Sequence, residues 1–260
     1  MRITVSLSAE KNVVLPFEHN QLIQGMIYHN LPPESATRLH QEGFLHQKRR
    51  FKLFTFSRIL SSPLVDNYAK QFIFSKTIKF VIASPIGWFM QDLAEHLIRQ
   101  EFVILGQNKL RPESINIHHL PRSFPEKIKI TMLSPITVYS TMQRGDGRKK
   151  TYYFSPFEPE FSEQIEANIK KKFEILHLEK CNYSLSITPL FSGNKNERIL
   201  IYKDFLIKAW DGMYELKGSP ELIAIAYNTG LGAKNSQGFG CFELAPDEES
   251  NQKKNEDQGR

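Results

Sequence analysis

Cysteine is scarce in this chain. Its 260 residues hold only Cys181 and Cys241, with no Cys-x-x-Cys pair, which argues against a disulfide framework or a cysteine zinc site and for a reducing, cytoplasmic setting. No run approaches the roughly 18 to 20 continuous apolar residues that span a bilayer, and the opening residues alternate instead of forming a signal-peptide core. A membrane partner is therefore not expected. Metal-ligand patterns are also missing: there is no His-Glu-x-x-His, no compact acidic pair for two metal ions, and His118 and His119, adjacent on an expected strand, would face opposite ways. The expectation is that no metal and no cofactor is needed.

What is present can bury a core: 40% of residues are hydrophobic and 12% aromatic, enough for one large domain or two small ones. The formal net charge is +6 and the pI about 9.1, which favours an anionic partner. Residues 246–260, "PDEESNQKKNEDQGR", lack any large apolar side chain and are expected to form a disordered polar tail. Removing the tail's net −2 from the chain's +6 leaves +8 on the body.

Periodicity gives an order of elements that repeats. "RITVSLSA" alternates as a half-buried strand, and "HNQLIQGMIYHNL" puts Leu22, Ile23, Met26 and Ile27 on one helical face. "PPESATRLHQEG" predicts a short second helix with Pro33 in its first turn and Gly43 as its stop. "FKLFTFS" and "IKFVIAS" read as strands, "PIGWFMQDLAEHLIRQ" as an amphipathic helix, and "FVILG" and "SINIHHL" as further strand. The order then restarts at "KIKITML": helix "PFEPEFSEQIEANIKKKFEILH", strands "YSLSITPL" and "RILIYKDFLIKA", helix "SPELIAIAYNTG", strand "FGCFEL". The expected fold class is α+β, with tandem ferredoxin-like βαββαβ domains over residues 1–122 and 123–245.

Between the last helix and strand, "YNTGLGAKNSQGFGCFEL" spaces four glycines as Gly-x-Gly-x-x-x-x-x-Gly-x-Gly. A dinucleotide fingerprint fails because position 235 is Asn and the loop runs from helix to strand, the reverse of the required order; no Gly-Lys-Ser/Thr follows either. Gly230 could cap the helix in a left-handed conformation, while Gly232, Gly238 and Gly240 let the backbone approach another surface. Lys234, Asn235 and Ser236 would add a charge and donors for a phosphate backbone. The plain alternative is a connector without a ligand. "GFGCF" also overlaps part of an aromatic RNA-recognition strand motif.

That glycine spacing, the doubled βαββαβ order and "RLHQEGFLHQKRRFKLFTFSRI" together resemble the CRISPR-associated endoribonucleases of the RAMP superfamily, which process repeat RNA. The resemblance spans residues 1 to 245. It implies cleavage of CRISPR repeat RNA without a metal, by attack of a ribose 2′-hydroxyl on the adjacent phosphate, leaving a 2′,3′-cyclic phosphate and a 5′-hydroxyl. The family's histidine, tyrosine and lysine fall by motif on His40, Tyr28 and Lys52. Implied partners are the precursor transcript and, further off, subunits of a CRISPR effector complex or a second copy of the chain.

These residue types suit the reaction. Imidazole, with an ordinary pKa near 6.5, can take or give a proton at neutral pH, a tyrosine can orient or share the transfer, and a lysine can stabilise charge on the non-bridging oxygens. His46, six residues after His40, is the internal rival. Lys48, Arg49 and Arg50, and Arg148 with Lys149 beside Tyr152 and Tyr153, are candidate RNA contacts, where an aromatic ring could stack an unpaired base. The segment "RGDGRKK" equally fits an exposed hairpin turn, and "KKK" at 170–172 a solvated helix face. Two rival functions remain: a subunit that holds repeat RNA without cutting it, and a small-molecule enzyme that uses the glycine loop for a nucleotide.

Overall fold

The computed structural model describes residues 1–143, 147, 149–203 and 205–246. In the N-terminal half, β1 (Arg2–Ser8), α1 (Asn20–His29), β2 (Thr55–Phe56), β3 (Thr77–Ala83), α2 (Gly87–Arg99) and β4 (Asn108–Ile117) follow one another. The sheet runs β2-β3-β1-β4, with the short strand Val103–Leu105 added at the edge beside β4. Every neighbouring pair is antiparallel. The alternation of β1 sends Ile3, Val5 and Leu7 into a core completed by Ile23, Met26 and Ile27 of α1 and Phe89, Met90, Leu93 and Leu97 of α2. These are the i, i+3, i+4 faces that an amphipathic helix must cover.

The C-terminal half repeats the plan. β5 (Lys127–Met132), α3 (Pro159–His177), β6 (Leu185–Pro189), β7 (Met213–Gly218), α4 (Pro220–Thr229) and β8 (Phe242–Leu244) give an antiparallel sheet in the order β6-β7-β5-β8. Counted within each half, both sheets are 2-3-1-4, the ferredoxin-like arrangement in tandem. Among the described residues, no helix is long and apolar enough to cross a membrane.

Three expectations about elements are corrected. "FKLFTFS" is not one strand: Arg49–Phe51 closes a hairpin with Phe44–His46, Leu53 turns the backbone with φ 53°, and only Thr55–Phe56 joins the sheet. "RILIYKDFLIKA" is not the third strand of the second repeat. It folds on itself as the hairpin Glu197–Tyr202 and Phe205–Trp210, and the sheet strand is β7, whose shorter apolar alternation around Tyr214 and Leu216 the sequence reading passed over. His118 and His119 lie beyond the end of β4, not within it.

Strand Tyr139–Gln143 pairs antiparallel with Lys149–Tyr153. Arg148 itself lies outside the described residues, as does the expected tail from Asp247 onward. Lys149 is described by its backbone pairing alone.

Candidate RNA-processing site

Tyr28 stands in the last turn of α1, and the chain then reverses through Pro32 and Pro33. Pro33 suits the first turn of the short helix Pro33–Thr37 because its missing N–H would have had no partner there. Residues 38–42 widen into one π-type turn, closed by the Gly43 amide on the Arg38 carbonyl at 2.9 Å. Within that turn Leu39 is buried and His40 faces outward. Gly43 stops it with φ 58°, and a Cβ there would lie 2.8 Å from the Phe51 carbonyl and 3.2 Å from the Lys52 ammonium.

The structure brings Tyr28, His40 and Lys52 together. The Tyr28 and His40 rings meet edge to face with centroids 5.2 Å apart. Lys52 Nζ donates to the Leu39 carbonyl at 2.8 Å and to the His40 carbonyl, so the lysine holds the turn that carries the histidine. Burial pushes the Tyr28 hydroxyl well above its ordinary range, with Tyr202 adding to the shift. Partial burial lowers the Lys52 pKa, and the neighbouring Arg50 adds. Tyr28 therefore remains a protonated donor at neutral pH. The third hydrogen of Lys52 is left for an incoming anion.

His46 goes elsewhere. It sits on the Phe44–His46 strand, and its Nε2 meets Glu174 Oε2 of α3 at 2.7 Å.

Beside the Tyr28–His40–Lys52 cluster a groove of about 640 Å³ runs between the two halves, lined among others by Arg49, Arg50, Lys52, Lys171 and Lys234. Lys48 is exposed at the turn of the same hairpin as Arg49 and Arg50. Cations from three separate segments thus converge where a polyanion can lie, each phosphate contact adding affinity by counterion release.

The glycine loop forms one wall, with its glycines turned inward. Gly230 ends α4 at φ 80° and ψ 159°, the extended region that only glycine enters readily; this corrects the expected left-handed helical cap. A Cβ on Gly232 would meet the Thr137 carbonyl at 2.6 Å, one on Gly238 the Phe56 ring at 2.6 Å, and one on Gly240 the Leu231 carbonyl at 2.0 Å. Asn235 also points into the loop, its amide donating to the Leu231 and Phe239 carbonyls at 2.9 and 3.1 Å. Asn20 and Gln24 of α1 grip the loop from the other half through the carbonyls of Gln237, Gly238 and Ser236. Lys234 Nζ lies 5.3 Å from the centre of the Tyr139 ring. Burial lowers the Lys234 pKa.

Sequence reasoning missed four residues here. Asn20, Gln24 and Tyr202, whose hydroxyl donates to Gln24, carry no motif. Lys172 had a signal: it lies on the helical face of Phe161, Ile165 and Ile169, and the expected solvated face is corrected by its 2% exposure. Among the described residues, no group of three or more His, Cys, Asp and Glu gathers as a metal-ion donor set.

The family model for the C-terminal part of the CRISPR-associated protein Cas6 matches residues 118–244. The CRISPR-associated endoribonuclease Cas6 1 of Methanocaldococcus jannaschii is 28% identical over 258 residues, covering 98% of this chain and 96% of its own. The CRISPR-associated endoribonuclease Cas6 of Pyrococcus furiosus is 27% identical over 243 residues, covering 88% and 83%. A solved structure of a CRISPR-associated protein Cas6 superposes with a TM-score of 0.77 at 24% identity, over 95% of this chain and 99% of that one, and shares the fold. With its C-terminal half matched by that family model and two relatives aligned along most of its length, the chain is similar to the CRISPR-associated protein Cas6.

Proposed function

We propose that this chain is a metal-independent endoribonuclease that cleaves CRISPR repeat RNA to release guide RNAs. The observation that carries the reading is the edge-to-face contact of Tyr28 with His40, whose carbonyl is held by Lys52, at the side of a groove lined with cations. In the proposed step a base takes the ribose 2′-hydroxyl proton and the 2′-oxygen bonds to phosphorus. The bond from phosphorus to the 5′-oxygen then breaks, and that oxygen takes up a proton. His40 is the proton-transfer group. Tyr28 donates a hydrogen bond to the nucleophile or a phosphate oxygen, and Lys52 offsets the charge gathering on the non-bridging oxygens.

RNA would be held by Lys48, Arg49, Arg50, Arg148 and Lys149, and by Lys234 and Ser236 on the glycine loop. Gly230, Gly232, Gly238, Gly240 and Asn235 would give that loop its shape. The same reading divides the chain at residues 122 and 123. The separation of the two principal cores, one formed by residues between Ile3 and Leu110 and the other between Phe124 and Phe242, supports it. A cytoplasmic location, with subunits of a CRISPR effector complex or a second copy of the chain as further partners, completes the proposal.

The test is cleavage of cognate repeat RNA in EDTA by wild type and His40→Ala, with a substrate carrying one 2′-deoxy nucleotide at the cut. Wild type should cut in chelator, while the variant, and the deoxy substrate with wild type, should each lose about 100-fold or more in rate. Tight binding with no cutting would favour a subunit that only holds the repeat. Undiminished cutting by His40→Ala would remove the proton transfer from His40.

A further inference from the structure

Lys172 lies in the middle of α3 and is 2% exposed. Its ammonium has three hydrogens and three acceptors: the Gly230 carbonyl at 2.7 Å, Asn235 Oδ1 at 2.8 Å and the Thr229 carbonyl at 3.4 Å. The two carbonyls stand at the C-terminal end of α4, where helix carbonyls lack intrahelical partners and the helix dipole favours a cation. Asn235 passes the contact on, because its amide nitrogen binds the Leu231 and Phe239 carbonyls on either side of the loop. A Cβ on Gly230 or Gly240 would lie 2.8 Å from that nitrogen. The outer glycines are thus the space into which the Asn235 side chain fits, and Lys172 is what its oxygen rests on.

We propose that Lys172 is a positioning residue for RNA binding: it ties the end of α4 to Asn235 and thereby seats the glycine loop, with Lys234 and Ser236, against the groove. This rests on the reading of the groove as an RNA site. A lysine is a costly choice there for stability alone. Burial pushes its pKa down to about 7, so desolvation of the ammonium offsets part of what its hydrogen bonds contribute. The aliphatic stem of Lys172 already packs as a methionine would.

The experiment compares Lys172→Met, Asn235→Ala and the double variant with wild type. Amide hydrogen exchange over residues 231–240 is measured in the RNA-free protein. Affinity for cognate repeat RNA at fixed salt, the single-turnover cleavage rate at saturating RNA, and the unfolding midpoint complete the set. Lys172→Met should stay folded with a lowered midpoint, because the Gly230 and Thr229 carbonyls lose their donor, exchange the loop amides about tenfold faster beyond any change at the other amides, and raise Kd about tenfold, with the saturating rate within about threefold of wild type. The double variant should be no worse than the weaker-binding single variant, as expected of two ends of one contact. A folded Lys172→Met with wild-type exchange and affinity overturns the proposal, as does an equal loss of affinity and saturating rate. Should Lys172→Met not fold, Asn235→Ala removes the same contact without emptying the helix face and carries the test on the same terms. If neither folds, the contact belongs to the fold and the proposal fails. If wild type itself binds no repeat RNA, the functional reading falls, while the exchange data still decide whether Lys172 seats the loop.

Discussion

His46 and Glu174 show how a single contact reports on its surroundings. The hydrogen bond from the imidazole is the largest reason that the Glu174 carboxyl is held below its usual value, helped by the Cys181 amide and by Lys180. A depressed folded-state pKa adds stability above the ordinary pKa of about 4.3, and that stability is lost as pH falls through the lower folded value. Glu174 keeps 30% of its side chain exposed, so screening limits the pair to about 0.5 kcal/mol. Glu174→Gln should therefore lower the urea-unfolding free energy by about 0.5 kcal/mol at pH 7 and differ little from wild type by about pH 3; an equal loss at both values would assign the effect to packing. At this scale the sequence was uneven. The meeting of Tyr28, His40 and Lys52 was expected from the motif around each of them, and their roles remain part of the proposal. Lys172 was hidden in a run of three lysines whose outer members, Lys170 and Lys171, are half-exposed, and only its spacing from Ile165 and Ile169 distinguished it. Asn235 was read as a donor to phosphate, whereas its amide closes the loop on itself; a sequence does not say which way a side chain points.

Elements were legible where hydrophobic period and length agreed, as in α1, α2, β1 and β3. They were misread where local apolarity outweighed topology. The run from Arg198 to Ala209 is more apolar than β7, yet it pairs with itself as a hairpin, because only β7 has β5 and β6 on its two sides. The glycine loop was legible as a special backbone but not as a packed one, since glycine marks both a close approach and a bare turn. Two substitutions separate those meanings. At Gly193, φ is 69° and nothing stands within 4 Å of a Cβ, so Gly193→Ala should cost only the backbone strain, about 1 kcal/mol. At Gly240, φ is 76° and the Cβ would fall 2.0 Å from the Leu231 carbonyl, so Gly240→Ala should cost about 3 kcal/mol or more in the same unfolding titration. Equal costs would mean that the loop yields, and its shape would then not be what holds Lys234 at the groove.

The whole molecule depends on whether its halves move as one, because the groove has a wall from each. Arg2 is the contact to weigh. It is 1% exposed, and it donates to the Phe242 carbonyl at 2.6 Å and the Tyr227 carbonyl at 3.2 Å while lying 4.3 Å from the centre of the Tyr227 ring. Around it Arg58 pairs with Asp211 at 3.0 Å, the Arg58 amide reaches the Leu133 carbonyl at 2.9 Å, and Val81 packs with Leu133 and Cys241. The chain carries two tryptophans, Trp88 on α2 and Trp210 beside β5 and α3, one probe in each half. Unfolding followed by fluorescence in Trp88→Phe and in Trp210→Phe should give free energies that agree once each substitution's own effect is measured by circular dichroism. Arg2→Ala should lower both together by about 3 kcal/mol, since it leaves two carbonyls buried without a donor. Transitions that separate in otherwise wild-type protein would mean that the halves open independently. The groove would then be a hinge, and Lys52 and Lys234 would hold a fixed separation only once RNA had closed it. Coincident transitions mean that the spacing of cations along the groove is built in before RNA arrives, so the ordering cost is met in folding and affinity rests on the match of charge to phosphate.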